Sequence, residues 1–170
     1  MVMHTVPPPE DQALTTCLAR AASVLGADGV WAENPVVPRR LRCGITFDAV
    51  VCDLSLIETA YRLLDRYEQQ LGPAFVVPSF PVGALLVPVG VEARWPDMVA
   101  ATQWPARAPH PVCLGRGQMI EVPAPAATAA SLTRWLRQPE FLFGLPPHLT
   151  SPIQLARCLA EALLISQGTR

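Results

Sequence analysis

Asp53 has the clearest chemical position of any acidic residue, because it follows the apolar run Ala49-Val50-Val51-Cys52 and precedes Leu54-Ser55. An acid at the end of a strand is a candidate metal or substrate ligand, so Asp53 is the one catalytic candidate. Its carboxylate also suits the cap of the helix that is predicted to follow. The cap is favoured, and the ligand role stays open. Asp48, in the same predicted strand, is expected to face solvent.

Two arginine groups are candidate binding sites for anions. Gly115-Arg116-Gly117 combines small residues, which let backbone amides approach a phosphate, with a guanidinium that donates several hydrogen bonds. Arg39, Arg40 and Arg42 are candidate ligands for nucleic acid, with Trp31 available to stack on a base. A plain turn and a solvated charged edge account for the same two patterns and are favoured over the binding roles.

The cysteines and histidines do not have the spacing of a metal site. No C-x-x-C or H-x-x-x-H pattern occurs among the five cysteines and three histidines. Buried, inert thiols are therefore predicted, and Cys52 is a poor nucleophile because the adjacent Asp53 raises its pKa. No cofactor is predicted, and magnesium is expected only if Asp53 retains a residual site.

Length and composition exclude several classes of protein. The chain has 170 residues, of which 51% are hydrophobic and 16% charged, which predicts one folded domain. No apolar run reaches the roughly 18 residues of a membrane span, and the N-terminus does not have the pattern of a secretory signal, so a cytoplasmic protein is expected. All 13 basic residues are arginine, which excludes lysine chemistry. With abundant Ala and Pro, this bias indicates a GC-rich genome such as that of an actinobacterium.

The elements that must position these residues predict an α+β fold with a mainly antiparallel or mixed sheet and helices packed on it. Residues 1–10 are expected to be a flexible Pro-rich lead, and residues 11–170 a single domain. Ser55 and Glu58 are predicted to form a capping box at the start of a helix over 56–70. Strands are predicted over 44–52, 74–78 and 84–89, a hairpin over 112–122, and further helices over 11–25, 97–102, 129–137 and 151–168.

Val50-Val51-Cys52-Asp53-Leu54-Ser55 resembles the catalytic strand of the bifunctional DNA primase/polymerase (prim-pol) family of the archaeo-eukaryotic primase superfamily. Leu71-Gly72-Pro73 and Ala84-Leu85-Leu86-Val87-Pro88 resemble the next two strands of that family. The similarity covers about residues 40–125. It implies a prim-pol or RRM-like core there, followed by a helical C-terminal part over 126–170.

The resemblance also implies which catalytic residues are present. The family has an acid-x-acid pair at the end of this strand and a histidine on a later strand. Asp53 stands at the first acid, Ser55 at the second, and no histidine occurs over 83–85. Because two-metal nucleotidyl transfer needs shared carboxylates, the resemblance implies a degenerate member that has lost this activity.

Three functions remain as hypotheses. The first is a non-catalytic prim-pol-like module with a binding or regulatory role in an actinobacterial cytoplasm. The second is a small enzyme or ligand-binding protein of a biosynthetic or developmental gene set that reuses the prim-pol cleft. The third is a protein-interaction subunit, because the chain has many prolines and its last predicted helix carries the apolar residues Ile153, Leu155, Leu159, Leu163 and Leu164. A protein partner or a second copy is the expected partner, and a nucleotide or nucleic acid is a further candidate.

Overall fold

The computed structural model describes residues 38–77, 81–124, 132–139 and 148–168. The predicted lead over 1–10, the predicted helix over 11–25, and Trp31 lie outside these ranges. The strands within them are β1 (Arg39–Arg42), β2 (Asp48–Asp53), β3 (Ala74–Val77), β4 (Val82–Val87), β5 (Val112–Leu114), β6 (Met119–Val122) and β7 (Arg134–Arg137). The α-helices are α1 (Leu54–Arg66), α2 (Trp95–Ala100) and α3 (Pro152–Gly168), and a 3-10 turn over Glu92–Arg94 leads into α2.

The strands form a five-stranded sheet in the order β5-β2-β4-β3-β7 and a separate two-stranded ribbon, β1-β6. Every neighbouring pair is antiparallel. The predicted α+β class is therefore confirmed, and the sheet is antiparallel. The succession β2-α1-β3-β4-α2-β5 is a split βαβ unit, which is the connectivity expected of an RRM-like core.

The sheet lies between a helical layer and the β1-β6 ribbon. Side chains alternate along each strand, so Val50 and Leu85 pack with the helices while Ala49 and Leu86 pack with the ribbon. Leu41 and Ile120 of the ribbon are buried against this second face. Both faces of the sheet are consequently covered. No helix in the described part of the chain combines the length and apolar character that crossing a membrane requires.

The unit formed by β2 and α1 differs from its prediction at both ends. β2 begins at Asp48, not at residue 44, because Gly44 has a φ of 81° and its amide donates to the Phe47 carbonyl in a closed loop. Asp53, and not Ser55, is the N-cap, and its carboxylate accepts from the Ser55 amide. The predicted Ser55 capping box is therefore wrong. α1 ends at Arg66 and not at residue 70, just before Glu68, whose φ is 53°.

Two predictions for the C-terminal half are also wrong. The segment over 112–122 is not a hairpin, because β5 pairs with β2 while β6 pairs with β1. Arg134–Arg137 is strand β7 rather than the end of a helix, so the C-terminal part is not wholly helical. The edge of β3 offers backbone partners, and Trp135 packs edge-on against Phe75 with ring centroids 5.5 Å apart. These tertiary contacts override helix propensity.

The predicted last helix is confirmed as α3 (Pro152–Gly168), but its apolar residues do not share one environment. Leu155 and Leu159 are fully buried against the rest of the core. Ile153 and Leu164 are instead exposed. The apolar pattern of this segment therefore serves mainly to pack α3 against α1 and α2 in the core.

Gly72, in the loop between α1 and β3, forms hydrogen bonds that link α1 to the segment before α3. The Tyr61 hydroxyl of α1 donates to the Gly72 carbonyl, and the Gly72 amide donates to Thr150 Oγ1 at 2.9 Å. The second bond gives the hydroxyl oxygen of Thr150, which is completely buried, a donor. A Cβ at Gly72 would lie 2.5 Å from the Thr150 backbone nitrogen, so only glycine fits here.

Replacing Gly72 with alanine is therefore expected to lower the free energy of unfolding by about 1–3 kcal/mol, the usual cost of overpacking a core. Gly168→Ala is the matched control, because nothing lies within 4 Å of a Cβ added there. Both changes restrict the unfolded chain equally, so the difference measures the clash. Urea unfolding of the two variants checks this, and equal stabilities would contradict the packing described.

Candidate functional site

An open cavity of about 910 Å³ lies at the end of the sheet where β2 begins and where β4 and β5 end. Two arginines line it, and we call it the arginine cavity. Its walls come from the loop after β1, the loop after β4 and the turn after β5. The lining residues are Arg42, Cys43, Gly44, Ile45, Asp48, Val89, Gly90, Glu92, Ala93, Arg116, Gly117 and Met119.

The turn that carries Arg116 is fixed by its own hydrogen bonds. The Gln118 amide donates to the Gly115 carbonyl at 3.0 Å, and the Gly115 amide donates to Gln118 Oε1 at 2.8 Å. Gly117 has a φ of 85°, a conformation that favours glycine. The tight glycine turn predicted from Gly115-Arg116-Gly117 is thus present, although it connects two different sheets.

Neighbouring loops hold this turn from both sides. A Cβ at Gly44 would lie 2.6 Å from Arg116 Cα, so the absence of a side chain lets the two backbones touch. On the other side, the Glu92 side chain packs directly over Gly115, and a Cβ there would lie 3.1 Å from Glu92 Oε2. The position of the Arg116 backbone therefore depends on glycine at both contacts.

Arg42 and Arg116 supply the positive charge of the cavity. Both side chains are exposed, and both belong to the candidate groups predicted from sequence. Within the described residues neither guanidinium forms an ion pair or a hydrogen bond. Two guanidiniums that line one cavity can each donate to an oxygen of a bound carboxylate or phosphate.

Asp48 lies at the inner end of the cavity and is only 1% exposed, so the prediction that it faces solvent is wrong. It points to the helical side of β2, as Val50 does two residues later. There its Oδ2 accepts from the Glu92 amide at 3.0 Å. That amide opens the 3-10 turn, where backbone N–H groups have no partner within the helix. The buried carboxylate is thereby hydrogen-bonded.

The thiols around Asp48 are poor nucleophiles. Burial, followed by the negative charge of Asp48, raises the pKa of Cys43 to about 11 and that of Cys113 to about 12. At the other end of β2, burial and then the charge of Asp53 raise the pKa of Cys52 to about 12. A thiol that stays protonated at neutral pH does not attack an electrophile, in agreement with the inert role predicted for the cysteines.

Asp53 stands far from the arginine cavity. Five residues of extended chain separate it from Asp48, or about 17 Å at the usual rise of a strand. Its Oδ1 accepts from the Ser55 amide at 2.9 Å and from Ser55 Oγ at 2.8 Å. In the described residues no three His, Cys, Asp or Glu side chains form a metal-binding group. The Asp53 carboxylate is therefore engaged in capping α1.

The remaining predicted site residues are not brought together. Arg40 is exposed on β1 and pairs in register with Glu121 of β6, away from the cavity lining. Arg39 contributes its backbone to β1 opposite Val122, and its side chain lies outside the described part of the structure, as does Trp31. Gly115 lies behind the lining, beneath Glu92. Of the two predicted arginine groups, Arg42 of one and both Arg116 and Gly117 of the other line the same cavity.

A second cavity of about 300 Å³ lies between α1 and β7, lined by Glu58, Tyr61, Leu136 and Arg137. Burial raises the pKa of the Tyr61 phenol, while Arg137 partly offsets that effect. The phenol is already engaged with the Gly72 carbonyl. This hydrogen bond indicates a structural role for Tyr61.

Sequence reasoning missed Gly44, Asp48 and Glu92 as parts of the site. Gly44 stands at the start of the strand predicted over 44–52, although glycine often marks a turn, and this signal could have indicated the turn that separates β1 from β2. Glu92 has no local signal, because its role depends on contacts with Asp48 and Gly115 that are distant in sequence.

Comparison of this chain with protein-family models, curated proteins and solved structures found no match. The geometry of the described residues therefore has to support any proposal about function.

Removing the Asp48 carboxylate is expected to destabilise the fold. Asp48→Ala leaves the Glu92 amide without its acceptor and should lower the free energy of unfolding by about 1–3 kcal/mol. Asp48→Asn keeps an acceptor oxygen and should lose less. Urea unfolding measures both, with Asp65→Ala on the exposed face of α1 as control. The hydrogen bond would not matter as described if Asp48→Ala were as stable as the control.

The raised thiol pKa values predict slow labelling of the folded protein. In a Cys17→Ser variant, Ellman's reagent at pH 8 should react with the four described cysteines about a hundredfold more slowly in the native state than in denaturant. The raised thiol pKa values also contribute to the stability of the fold, and this contribution is fully present at pH values below the pKa of the thiols in the unfolded chain. That contribution is lost as pH rises towards 11 and 12. One native thiol reacting at the unfolded rate would contradict these environments.

Proposed function

We propose that this chain is a non-catalytic binding module with a prim-pol-like core, acting in a regulatory role in the cytoplasm of an actinobacterium. Its ligand occupies the arginine cavity and carries at least one anionic group. The observation that carries this proposal is that Arg42 and Arg116 line one cavity and that neither guanidinium has a partner among the described residues. The cavity volume lies within the range of ordinary small-molecule sites.

The state of Asp53 supports the non-catalytic half of the proposal. Its Oδ1 is occupied by two hydrogen bonds from Ser55 at the start of α1. Ser55 offers a hydroxyl where the prim-pol family has its second acid. A helix cap accounts for both residues without any transfer chemistry.

The covering of the sheet argues against nucleic acid as the ligand. Modules of the RRM type bind single strands on the open face of a four-stranded sheet. Here the face opposite the helices is buried under β1 and β6, with Phe47 and Phe75 almost completely inaccessible. The end of the sheet where β2 begins, at which the arginine cavity opens, is the accessible alternative.

Titration with small organic anions tests this proposal. We expect 3-phenylpropanoate or phenyl phosphate to bind the wild-type protein saturably, and the Arg42→Gln/Arg116→Gln double variant to bind at least tenfold more weakly. One charge-assisted hydrogen bond contributes about 1.5–3 kcal/mol, and 1.4 kcal/mol is tenfold in affinity. Arg157→Gln, which removes one positive charge from the exposed side of α3 and not from the cavity lining, is the control for a loss of charge elsewhere.

Two results would contradict the proposal. The site is wrong if no anion binds, or if the double variant and Arg157→Gln bind alike. The non-catalytic role is wrong if the pure protein extends a primer on a template with deoxynucleoside triphosphates and Mg²⁺ or Mn²⁺.

A further inference from the structure

The arginine cavity holds charges of both signs. Arg42 and Arg116 contribute two positive groups, and Asp48 and Glu92 contribute two acidic side chains. The formal charge of the lining is therefore zero. A neutral but strongly polarised lining favours a ligand that itself carries both signs, because complementary potentials determine specificity.

The two acids have different roles. Asp48 is buried and accepts from the Glu92 amide, so it belongs to the framework of the site. Glu92 is exposed, and its carboxylate accepts no hydrogen bond from the described residues. It lies over Gly115, next in sequence to Arg116, yet no ion pair joins the two side chains within the described residues. The acidic side chain of Glu92 and the basic side chain of Arg116 are thus both available to a ligand in the cavity.

The remaining lining is apolar and accessible. Ile45 is 65% exposed, Val89 46% and Met119 43%, although each is a large hydrophobic residue. All three line the same cavity. Exposed apolar side chains gathered at a concave site are typical of ligand contact, and they would cover an apolar group of about the size of a phenyl ring.

On these grounds we infer that the ligand is a zwitterion of the amino-acid class with an apolar side chain. This inference rests on the proposed function of the cavity. Its carboxylate binds Arg42 and Arg116, its ammonium group binds Glu92, and its side chain contacts Ile45, Val89 and Met119. A simple anion would leave the Glu92 carboxylate unpaired beside a like charge. A simple cation would leave both guanidiniums unpaired. Discrimination between ligands follows from these unmatched groups.

Three compounds with the same phenyl ring test this inference in calorimetric or NMR titrations. L-Phenylalanine carries both charges, 3-phenylpropanoate only the carboxylate, and 2-phenylethylamine only the ammonium group. We expect phenylalanine to bind at least tenfold more tightly than either analogue. In Glu92→Gln the ratio between phenylalanine and 3-phenylpropanoate should fall to near one. Asp65→Asn, which removes an exposed acid on α1, should leave that ratio unchanged.

The possible failures are distinguishable. If 3-phenylpropanoate binds as tightly as phenylalanine, and Glu92→Gln changes nothing, the zwitterion is wrong while the anion-binding function stands. If 2-phenylethylamine binds as tightly as phenylalanine, the ammonium group alone is recognised and the roles given to the arginines are wrong. If none of the three binds, the proposed function fails with the inference. Circular dichroism spectra of each variant exclude misfolding as the cause.

Discussion

The hydrogen bond from the Glu92 amide to the buried Asp48 carboxylate is the interaction on which the site depends. It ties the first residue of β2 to the start of the helical segment that follows β4. A carboxylate at 1% exposure is tolerated only with a partner, so the loop after β4 must close over the end of the sheet. That closure places the Glu92 side chain against Gly115 and thereby positions the turn that carries Arg116. This turn forms part of the cavity wall.

The two acidic residues of β2, Asp48 and Asp53, consequently have different roles. Asp53 has the position in the sequence that resembles a catalytic acid, but its carboxylate caps α1 through Ser55. Asp48 has no motif around it, yet it organises the end of the sheet where one cavity is lined by two arginines that have no partner in the described part of the chain. The proposed binding site is therefore at the end of the strand opposite the one that the resemblance indicates.

Periodicity and composition predict much of this fold because the helical and strand patterns are local. The α+β class, the unit of β2 and α1, the strands β3 and β4, and α3 all follow from spacing within one segment. Strand β7 does not, because its extended form comes from pairing with β3 and from the contact of Trp135 with Phe75. The burial of Asp48 and the approach of Gly44 to Arg116 likewise depend on residues far apart in the chain. Arg42 and Arg116 could each be identified from the sequence as a candidate binding residue. That the two line one cavity could not be predicted.

Mapping the amide chemical shifts of the labelled protein during titration with L-phenylalanine tests the central claim most directly. A ligand in the arginine cavity predicts the largest changes over 42–45, 89–93 and 115–119, the three segments that line it. Changes concentrated over 53–58 and at Val82 and Gly83 would instead place the ligand beside Asp53. That result would contradict the assignment of function to the end of the sheet that Asp48 organises.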